Sequence, residues 1–270
     1  MNSQLLATAP MNRQEKQAQA KLWSLFHKAC AGRQLLADGD HVLIGLSGGK
    51  DSLLLTELMG RQARVFKPAI RVTAVHVRIS ERKYLTDTSY LERFCREAGV
   101  PLLIRDTHIV GAERKSPCFL CSWYRRKALL QVAQEEGCNK IAFGHHQDDV
   151  LNTLLMNLVF EGRATSIPPA LPLDKMPITL IRPLWCIRET DIRAYADLRG
   201  YRTQKIPCEW EDLTNRRRMG ELLRELETLN PDVRSSLLHA LQRQENVPHG
   251  HSPQQNISGI GQNTSEAPAE

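Results

Sequence analysis

The sequence predicts an α/β fold with a doubly wound parallel sheet, an N-terminal helix and a C-terminal helical extension. Apolar, strand-like runs alternate with amphipathic segments of helical length through the centre of the 270-residue chain. The first apolar run leads directly into a glycine-rich turn and then into a helix. Repeated strand–helix alternation forms parallel sheets with helices on both faces, and ligands bind at the carboxyl ends of their strands. We therefore expect the functional residues in the turns that follow the strands.

The strands are predicted from short runs rich in aliphatic residues, such as HVLIGL and IRVTAVHV. The predicted strands cover residues 41–46, 70–77, 101–106, 140–144 and 178–184. The first helix is predicted from the helical spacing of Leu22, Leu25, Phe26 and Ala29. The predicted helices cover residues 13–31, 52–62, 87–98, 120–136, 149–160, 189–198, 214–228 and 232–244.

The chain is expected to divide into four parts. Residues 246–270 contain no Lys, Arg or aromatic residue. Such a segment buries too little apolar surface to offset its chain entropy, so we expect a disordered tail. Residues 1–38 are predicted to form an N-terminal helical arm, residues 39–208 the main α/β domain, and residues 209–245 a helical extension.

Composition argues against secreted, membrane-spanning and disulfide-scaffold proteins. No window approaches the roughly 18 consecutive apolar residues of a membrane span, and the N-terminus lacks the apolar core of a signal peptide. Seven cysteines in such a chain indicate the reducing cytoplasm, where cysteine serves metals or catalysis more often than disulfides. With 41% hydrophobic and 24% charged residues, the composition is that of a globular protein. The net charge of +6 weakly favours a polyanionic partner.

A glycine-rich turn follows the first predicted strand and is expected to bind phosphate. Gly48 and Gly49 permit a close backbone approach, and the start of the next helix offers free N–H groups to an anion. Lys50 adds a positive charge, and the hydroxyls of Ser47 and Ser52 add donors. A plain strand–helix turn is the alternative, which the run SGGKDS makes improbable.

The turn is not a Walker A loop, because Ile44 stands where that motif has glycine and Asp51 stands where it has a hydroxyl. A carboxylate beside a phosphate loop calls for a bridging cation, so Asp51 is a candidate magnesium ligand. Asp148 and Asp149 follow the fourth predicted strand and are further candidates, although Asp is also favoured at helix starts.

Two histidines have alternative interpretations. His76 lies at the end of the second predicted strand, where doubly wound folds present groups to adenine, and a plain strand residue is an equal alternative. His146 follows the fourth strand and is interpreted as a packing residue.

Cys118 and Cys121 form a CxxC at the start of a predicted helix, a pattern shared by zinc, redox and iron–sulfur sites. The sequence has no second CxxC and no HxxxH, which lowers the structural-zinc interpretation. Cys208 lies beyond the last strand–helix unit, where it is either a third ligand or a structural thiol. The remaining cysteines are interpreted as small core residues: Cys30, Cys95, Cys138 and Cys186.

Basic residues flank the CxxC, with Trp123 and Tyr124 between them. These basic residues are Arg114, Lys115, Arg125, Arg126 and Lys127. Basic side chains interleaved with aromatic ones suit phosphate contact and base stacking, so we predict RNA binding here. A solvated helix face is the alternative. A second basic run, residues 216–218, remains undecided.

The segment SGGKDS, residues 47–52, resembles the signature of the PP-loop ATP pyrophosphatases, which include GMP synthetase, tRNA lysidine synthetase and tRNA thiolation enzymes. The resemblance implies that ATP is cleaved between its α and β phosphates and that a carbonyl oxygen of the acceptor is adenylated. It implies catalytic roles for Lys50, Asp51 and Asp149, and it makes residues 39–208 a PP-loop, adenine nucleotide alpha-hydrolase-like domain. Lys50 would stabilise the departing pyrophosphate.

Two longer segments resemble the tRNA 2-thiocytidine synthetase (TtcA-like) family: CxxCSxxRR at residues 118–126 and GHHQDDVLNTLLMN at residues 144–157. The resemblance extends from residue 42 to residue 208. It implies a 4Fe-4S cluster whose protein ligands are Cys118, Cys121 and Cys208. It also places Gly144 and His145 beside ATP.

Three ligands leave one iron of such a cluster open for a sulfur. The chain departs from the family at Cys208, which is followed by Glu209, Trp210 and Glu211 rather than by a second cysteine pair. This departure weakens the assignment of the exact substrate.

The resemblance implies a tRNA-cytidine 2-sulfurtransferase that uses ATP, Mg²⁺ and a 4Fe-4S cluster. Its partners would be tRNA and a sulfur donor, such as a cysteine desulfurase or sulfide; no membrane is implied, and a homodimer is compatible. A lysidine synthetase-like ligase would leave the three cysteines unexplained. Archaeal-type uridine thiolases normally carry zinc-binding cysteine pairs at both ends, which are absent here. A non-catalytic, ATP-binding iron–sulfur redox sensor would not require Lys50, Asp51 and Asp149 together.

Overall fold

The computed structural model describes residues 11–65, 67–81, 86–109, 117–204 and 215–245, with backbone alone at 117–119 and 244–245. The strands are β1 (His41–Gly45), β2 (Arg71–Ile79), β3 (Leu102–Thr107), β4 (Lys140–Ala142), β5 (Ala170–Pro172) and β6 (Thr179–Ile181). The helices are α1 (Arg13–Gly32), α2 (Lys50–Gln62), α3 (Thr88–Ala98), α4 (Pro117–Glu135), α5 (Gln147–Met156), α6 (Glu189–Leu198), α7 (Asn215–Leu229) and α8 (Val233–Glu245). A π-helical turn, Asn157–Glu161, continues α5.

The predicted doubly wound sheet is confirmed. Its strand order is β3-β2-β1-β4-β6-β5. The chain builds outward from β1 in one direction and then, from β4, in the other. In such sheets the ligand crevice lies where the direction reverses, beyond the carboxyl ends of the two central strands. Here those strands are β1 and β4, whose residues Ile44 and Ala142 are paired in parallel register.

Side chains of the central strands alternate between two apolar layers. Val42 and Ile44 of β1 join a core shared with α2, α3 and α6. Leu43, between them, faces the opposite way and packs with Val132 of α4. α1 belongs to the first core, where Phe26 is fully buried. The sheet therefore separates α2 from α4, and both helices begin at its carboxyl edge.

The edge of the sheet differs from the purely parallel arrangement predicted. β5 was not predicted, because three residues carry no strand pattern, and it pairs antiparallel with β6. The strand predicted over residues 178–184 ends at Ile181, since Pro183 has no N–H for a ladder bond. The helix predicted over residues 149–160 begins at Gln147 and leaves α-helical geometry after Met156.

β2 is longer than predicted and continues to Ile79. His76 therefore lies within the strand, opposite Ile104 of β3, and not at its end. The prediction that placed His76 at the strand end is wrong. Within the described residues, no helix combines the length and apolarity needed to cross a bilayer.

Candidate active site

The loop after β1 is closed by its own serine side chains. The Oγ atoms of Ser47 and Ser52 lie 3.1 Å apart, and the amides of Gly48 and Gly49 donate to Ser52 Oγ and Ser47 Oγ at 3.2 and 3.3 Å. Ser52 Oγ also donates to the carbonyl of Gly49 at 2.9 Å. Gly49 caps α2 without a side-chain hydrogen bond, so the first N–H groups of α2 point toward the crevice as anion donors.

Two glycines allow neighbouring segments to approach this loop. Gly48 has a left-handed φ of +85°, and a Cβ there would lie 2.8 Å from Cβ of Gln204. The amide of Gln204 donates to the carbonyl of Gly48 at 2.8 Å. A Cβ at Gly144 would lie 3.0 Å from the carbonyl carbon of Asp51. Gly144 thus lets the segment after β4 pack directly against the start of α2.

Lys50 lies between two carboxylates at the entrance to α2. Its Nζ is 3.2 Å from Oδ2 of Asp51 and 3.0 Å from Oε1 of Glu189, at the start of α6. Burial would lower the pKa of Lys50, but the two carboxylates outweigh it and raise the pKa. Burial would likewise raise the pKa of Glu189, but hydrogen bonds and charge from Lys50, aided by Arg193, lower it to about 2. The lysine is therefore held charged and oriented by α6.

Glu189→Gln is expected to remove a pH-dependent contribution to stability. Because the pKa falls from 4.5 to about 2 on folding, Glu189 stabilises the fold above about pH 4.5, and this contribution disappears as the pH falls toward 2. A third of the side chain is exposed, so screening reduces the effect to about 1 kcal/mol. Urea unfolding at pH 7 and pH 3 should show that the gap between wild type and variant narrows in acid. Glu221→Gln, at an exposed position of α7, is the control; a gap between wild type and Glu189→Gln that does not depend on pH would contradict this assignment.

His146 bridges the two loops of the crevice. Its Nε2 lies 3.8 Å from Oδ1 of Asp51 and 3.6 Å from Oδ2 of Asp149, and its Nδ1 lies 3.9 Å from Oδ2 of Asp148. Asp149 Oδ2 also accepts the amide of His146 at 3.1 Å, which caps α5. The structure thus surrounds His146 with carboxylates, where the sequence had suggested packing alone.

One carboxylate oxygen of this group is open to a cation. Oδ1 of Asp51 is buried and accepts no hydrogen bond from the described residues. A buried anionic oxygen without a donor is costly, and Mg²⁺ commonly uses one or two carboxylates together with substrate phosphates. In the described ranges, no three His, Cys, Asp or Glu side chains form a metal site by themselves. The residues therefore fit a magnesium ion that is completed by nucleotide phosphates.

Asp148 is engaged in a structural network. Its Oδ1 lies 2.8 Å from Nη1 of Arg234 in α8, and its Oδ2 accepts the amide of Glu189 at 2.8 Å. Arg234 is buried and also pairs with Glu227 of α7 at 2.6 Å. The predicted helical extension is thereby connected, through Asp148, to the carboxylate that holds Lys50.

Two further histidines are held without charge. The pKa of His76 is lowered by burial, and its Nδ1 lies 2.7 Å from the carbonyl of Leu46, so it supports the phosphate loop from beneath. Burial lowers the pKa of His145 to about 4, although Asp149 raises it. His145 lies beside Phe143, with ring centroids 5.8 Å apart. Both imidazoles are therefore neutral at physiological pH.

Among the predicted cluster ligands, Cys121 is partly exposed near the start of α4. The side chain of Cys118 and all of Cys208 lie outside the described residues. The other cysteines behave as predicted for core thiols. Burial raises the pKa of Cys30 and Cys95 to about 12, of Cys138 to about 11, and also that of Cys186.

The predicted RNA-binding residues lie partly on α4. Arg126 and Lys127 are exposed, and Lys127 Nζ stands 5.4 Å from the ring centroid of Trp123. Arg125 is half-buried. Arg114 and Lys115 lie outside the described residues. In the second basic run, Arg216 Nη1 lies 3.8 Å from Oδ1 of Asp149, which brings α7 to the crevice.

Comparison with known proteins identifies the family of this chain. The profile of the PP-loop domain family matches residues 14–223. A tRNA-cytidine(32) 2-sulfurtransferase of Legionella pneumophila (strain Corby) is 33% identical over 241 residues, which cover 86% of this chain and 84% of the relative. One from Sorangium cellulosum (strain So ce56) is 35% identical over 234 residues, covering 83% and 81%.

A solved structure with a similar fold is that of the U34-tRNA thiolase NcsA from Methanococcus maripaludis, which holds a 4Fe-4S cluster. It superposes with a TM-score of 0.69 at 26% sequence identity and covers 88% of this chain and 82% of its own. The likeness therefore extends over most of both molecules.

Sequence reasoning missed four members of the site: His146, Glu189, Arg216 and Arg234. Glu189 stands at a helix start, where a carboxylate is ordinary, and nothing local distinguishes it. Arg216 and Arg234 reach the crevice only because α7 and α8 pack against α5. For Arg216, the basic run at residues 216–218 was the one available signal.

Proposed function

The chain belongs to the PP-loop domain family and to the tRNA-cytidine(32) 2-sulfurtransferases, and from this premise we propose that it replaces the C2 oxygen of a tRNA cytidine by sulfur at the expense of ATP. The observation that carries the proposal is the position of Lys50 at the switch point of the sheet. The phosphate loop and α2 lie on one side of the sheet edge, and the CxxC helix, α4, lies on the other. In our proposal, the nucleotide and the tRNA cytidine therefore bind at the same carboxyl edge of the sheet.

In the first step, the C2 carbonyl oxygen attacks the α-phosphorus of ATP. An O–P bond forms, the bond between the α-phosphorus and the bridging oxygen breaks, and pyrophosphate leaves with the electron pair. Lys50 and the first N–H groups of α2 stabilise the negative charge on the departing pyrophosphate. In the second step, sulfur attacks C2 and AMP leaves with the former base oxygen.

Mg²⁺ supplies charge neutralisation on the phosphates when it is bound. We assign Asp51 and Asp149 as its protein ligands. Oδ1 of Asp51 lacks a donor among the described residues, and Oδ1 of Asp149 meets Arg216 only at 3.8 Å, beyond hydrogen-bond distance. The oxygens of Asp148 already accept from Arg234 and from the amide of Glu189, so Asp148 acts in our proposal by fixing α6 and not as a ligand. His76 supports the loop, and Gly144 and His145 border the nucleotide.

A 4Fe-4S cluster, when bound, supplies the sulfur-transfer chemistry. Cys118, Cys121 and Cys208 are the proposed ligands. Cys121 fits this role because it is partly exposed, whereas the core thiols, with pKa values raised by burial, resist becoming thiolates. A sulfur donor such as a cysteine desulfurase or sulfide, a cytoplasmic location and a homodimer complete the proposal.

The experiment that tests this function uses the anaerobically reconstituted protein with ATP, Mg²⁺, sulfide and unmodified tRNA transcript. We expect one AMP and one pyrophosphate for each thiolated nucleoside, identified as 2-thiocytidine by mass spectrometry. Thiolation of U34 in place of a cytidine would instead support an activity like that of the U34-tRNA thiolase NcsA. ATP consumption without any thionucleoside would contradict tRNA thiolation.

A further inference from the structure

Arg182 is a buried arginine that lacks a carboxylate partner in the described part of the chain. Its residue is 7% exposed. Nη1 donates to the carbonyl of Pro168 at 2.6 Å, and Nε is buried and meets no acceptor among the described residues. Burial, with a smaller contribution from Arg126, lowers the pKa of Arg182 to about 10. A guanidinium in such surroundings is costly to the fold unless an anion reaches it.

The position of Arg182 places it on the side of the CxxC helix. It directly follows β6, whose Ile181 accepts the amide of Phe143 at 3.0 Å. Ile181 packs into the core shared with α2, whereas Leu180 packs into the core of α4. Because side chains alternate along an extended strand, Arg182 lies on the same side as Leu180. It therefore faces α4, on the side of the sheet opposite α2.

The neighbourhood of Arg182 is cationic. Arg126 of α4 is exposed and contributes to the field at Arg182. His145 is neutral, because burial lowers its pKa to about 4. No carboxylate of the described residues forms an ion pair with Arg182, and the charged group that acts on its pKa is Arg126. One buried and one exposed guanidinium thus lie near each other on the α4 side of the sheet.

We propose that Arg182 binds a phosphodiester of the tRNA beside the nucleotide that is thiolated, with Arg126 at the rim of the same subsite. This inference rests on the proposed function for the identity of the RNA. A guanidinium presents two parallel donors that match the oxygens of a phosphate, and contacts to the backbone hold a nucleic acid in register. Burial holds the Arg182 side chain in one position, whereas the side chains of exposed basic residues sample several conformations.

The test measures binding of unmodified tRNA transcript without ATP or a sulfur donor, across a series of salt concentrations. Arg182→Met should weaken binding about 10- to 100-fold and reduce the slope of log K against log salt by about 0.7–0.9. Arg126→Met should reduce the slope similarly with a smaller loss of affinity. Arg71→Met removes an exposed arginine at the amino end of β2, remote from the carboxyl ends of the strands; it is the control and should change neither quantity.

A purely structural role would give a different pattern. If Arg182 serves tRNA binding and not the fold, removing this uncompensated buried charge should leave the melting temperature of Arg182→Met equal to or above that of wild type. Unchanged tRNA affinity and salt slope in a folded Arg182→Met would overturn the inference. If that variant does not fold, Arg182→Lys decides: the inference expects an unchanged slope with affinity about 3- to 10-fold weaker, and wild-type affinity would overturn it.

The same measurement separates this inference from the proposed function. Wild type that binds tRNA through Arg182 without thiolating it would contradict the function and leave the subsite intact. Wild type that thiolates tRNA while Arg182→Met binds it normally would contradict the subsite alone.

Discussion

Lys50→Met is expected to lower the rate of tRNA thiolation about 10²- to 10³-fold, which is the effect of losing one positioned charge at a developing anion. The variant loses the cation that we propose stabilises the pyrophosphate. It also leaves Asp51 and Glu189 without the ammonium that now lies 3.2 and 3.0 Å from them. Single-turnover release of pyrophosphate, measured with saturating tRNA, checks the prediction.

Two comparisons make the Lys50 result specific. Lys175→Met, on an exposed turn, should keep the wild-type rate. tRNA affinity of Lys50→Met should also remain near wild type, because α2, which begins with Lys50, packs on the face of the sheet opposite α4. A pyrophosphate release rate within threefold of wild type would exclude Lys50 from the chemistry.

Cys121→Ala is expected to abolish the cluster and to reduce thiolation by at least about 10³-fold, since two cysteine ligands cannot hold a four-iron cluster in competition with solvent. The measurements are iron content and visible absorbance after anaerobic reconstitution, followed by nucleoside analysis of the product tRNA. ATP binding should survive, because α2 and its loop lie in the other core.

Cys95→Ala is the matched control for the loss of a thiol. Cys95 is buried in α3, and burial raises its pKa to about 12, so its replacement should leave iron content and colour unchanged. Retention of iron and colour by Cys121→Ala, or stoichiometric zinc in the wild-type protein, would contradict the cluster.

Much of the fold was accessible from the sequence because its signals are local. Gly48, Gly49 and Lys50 stand together between an apolar strand and a helix, and the structure places them at the switch point between β1 and β4. Glycine at position 48 is required by a left-handed φ of +85° and by the approach of Gln204. A left-handed φ can be anticipated from the sequence of a turn, whereas the approach of Gln204 cannot, because it is a tertiary contact.

The features that the sequence did not predict depend on tertiary contacts, which produce no recognisable pattern in the local sequence. Glu189 resembles any acidic residue at a helix start until α6 packs beside α2 and brings its carboxylate to Lys50. β5 forms only because β6 offers it an edge, and its three residues have no pattern of their own. His146 looked like a packing residue because its carboxylate neighbours come from two separate loops.

The connection from Arg234 through Asp148 to Glu189 and Lys50 has a consequence for the order in which the protein becomes competent. The phosphate loop emerges early from the ribosome, yet the residue that orients its lysine is made much later, and the arginine that fixes that segment is made near the end of the described chain. A nascent chain can therefore possess the complete SGGKDS signature and still lack a productive nucleotide site. The nucleotide site should therefore reach its full ATP affinity only when α8 has docked.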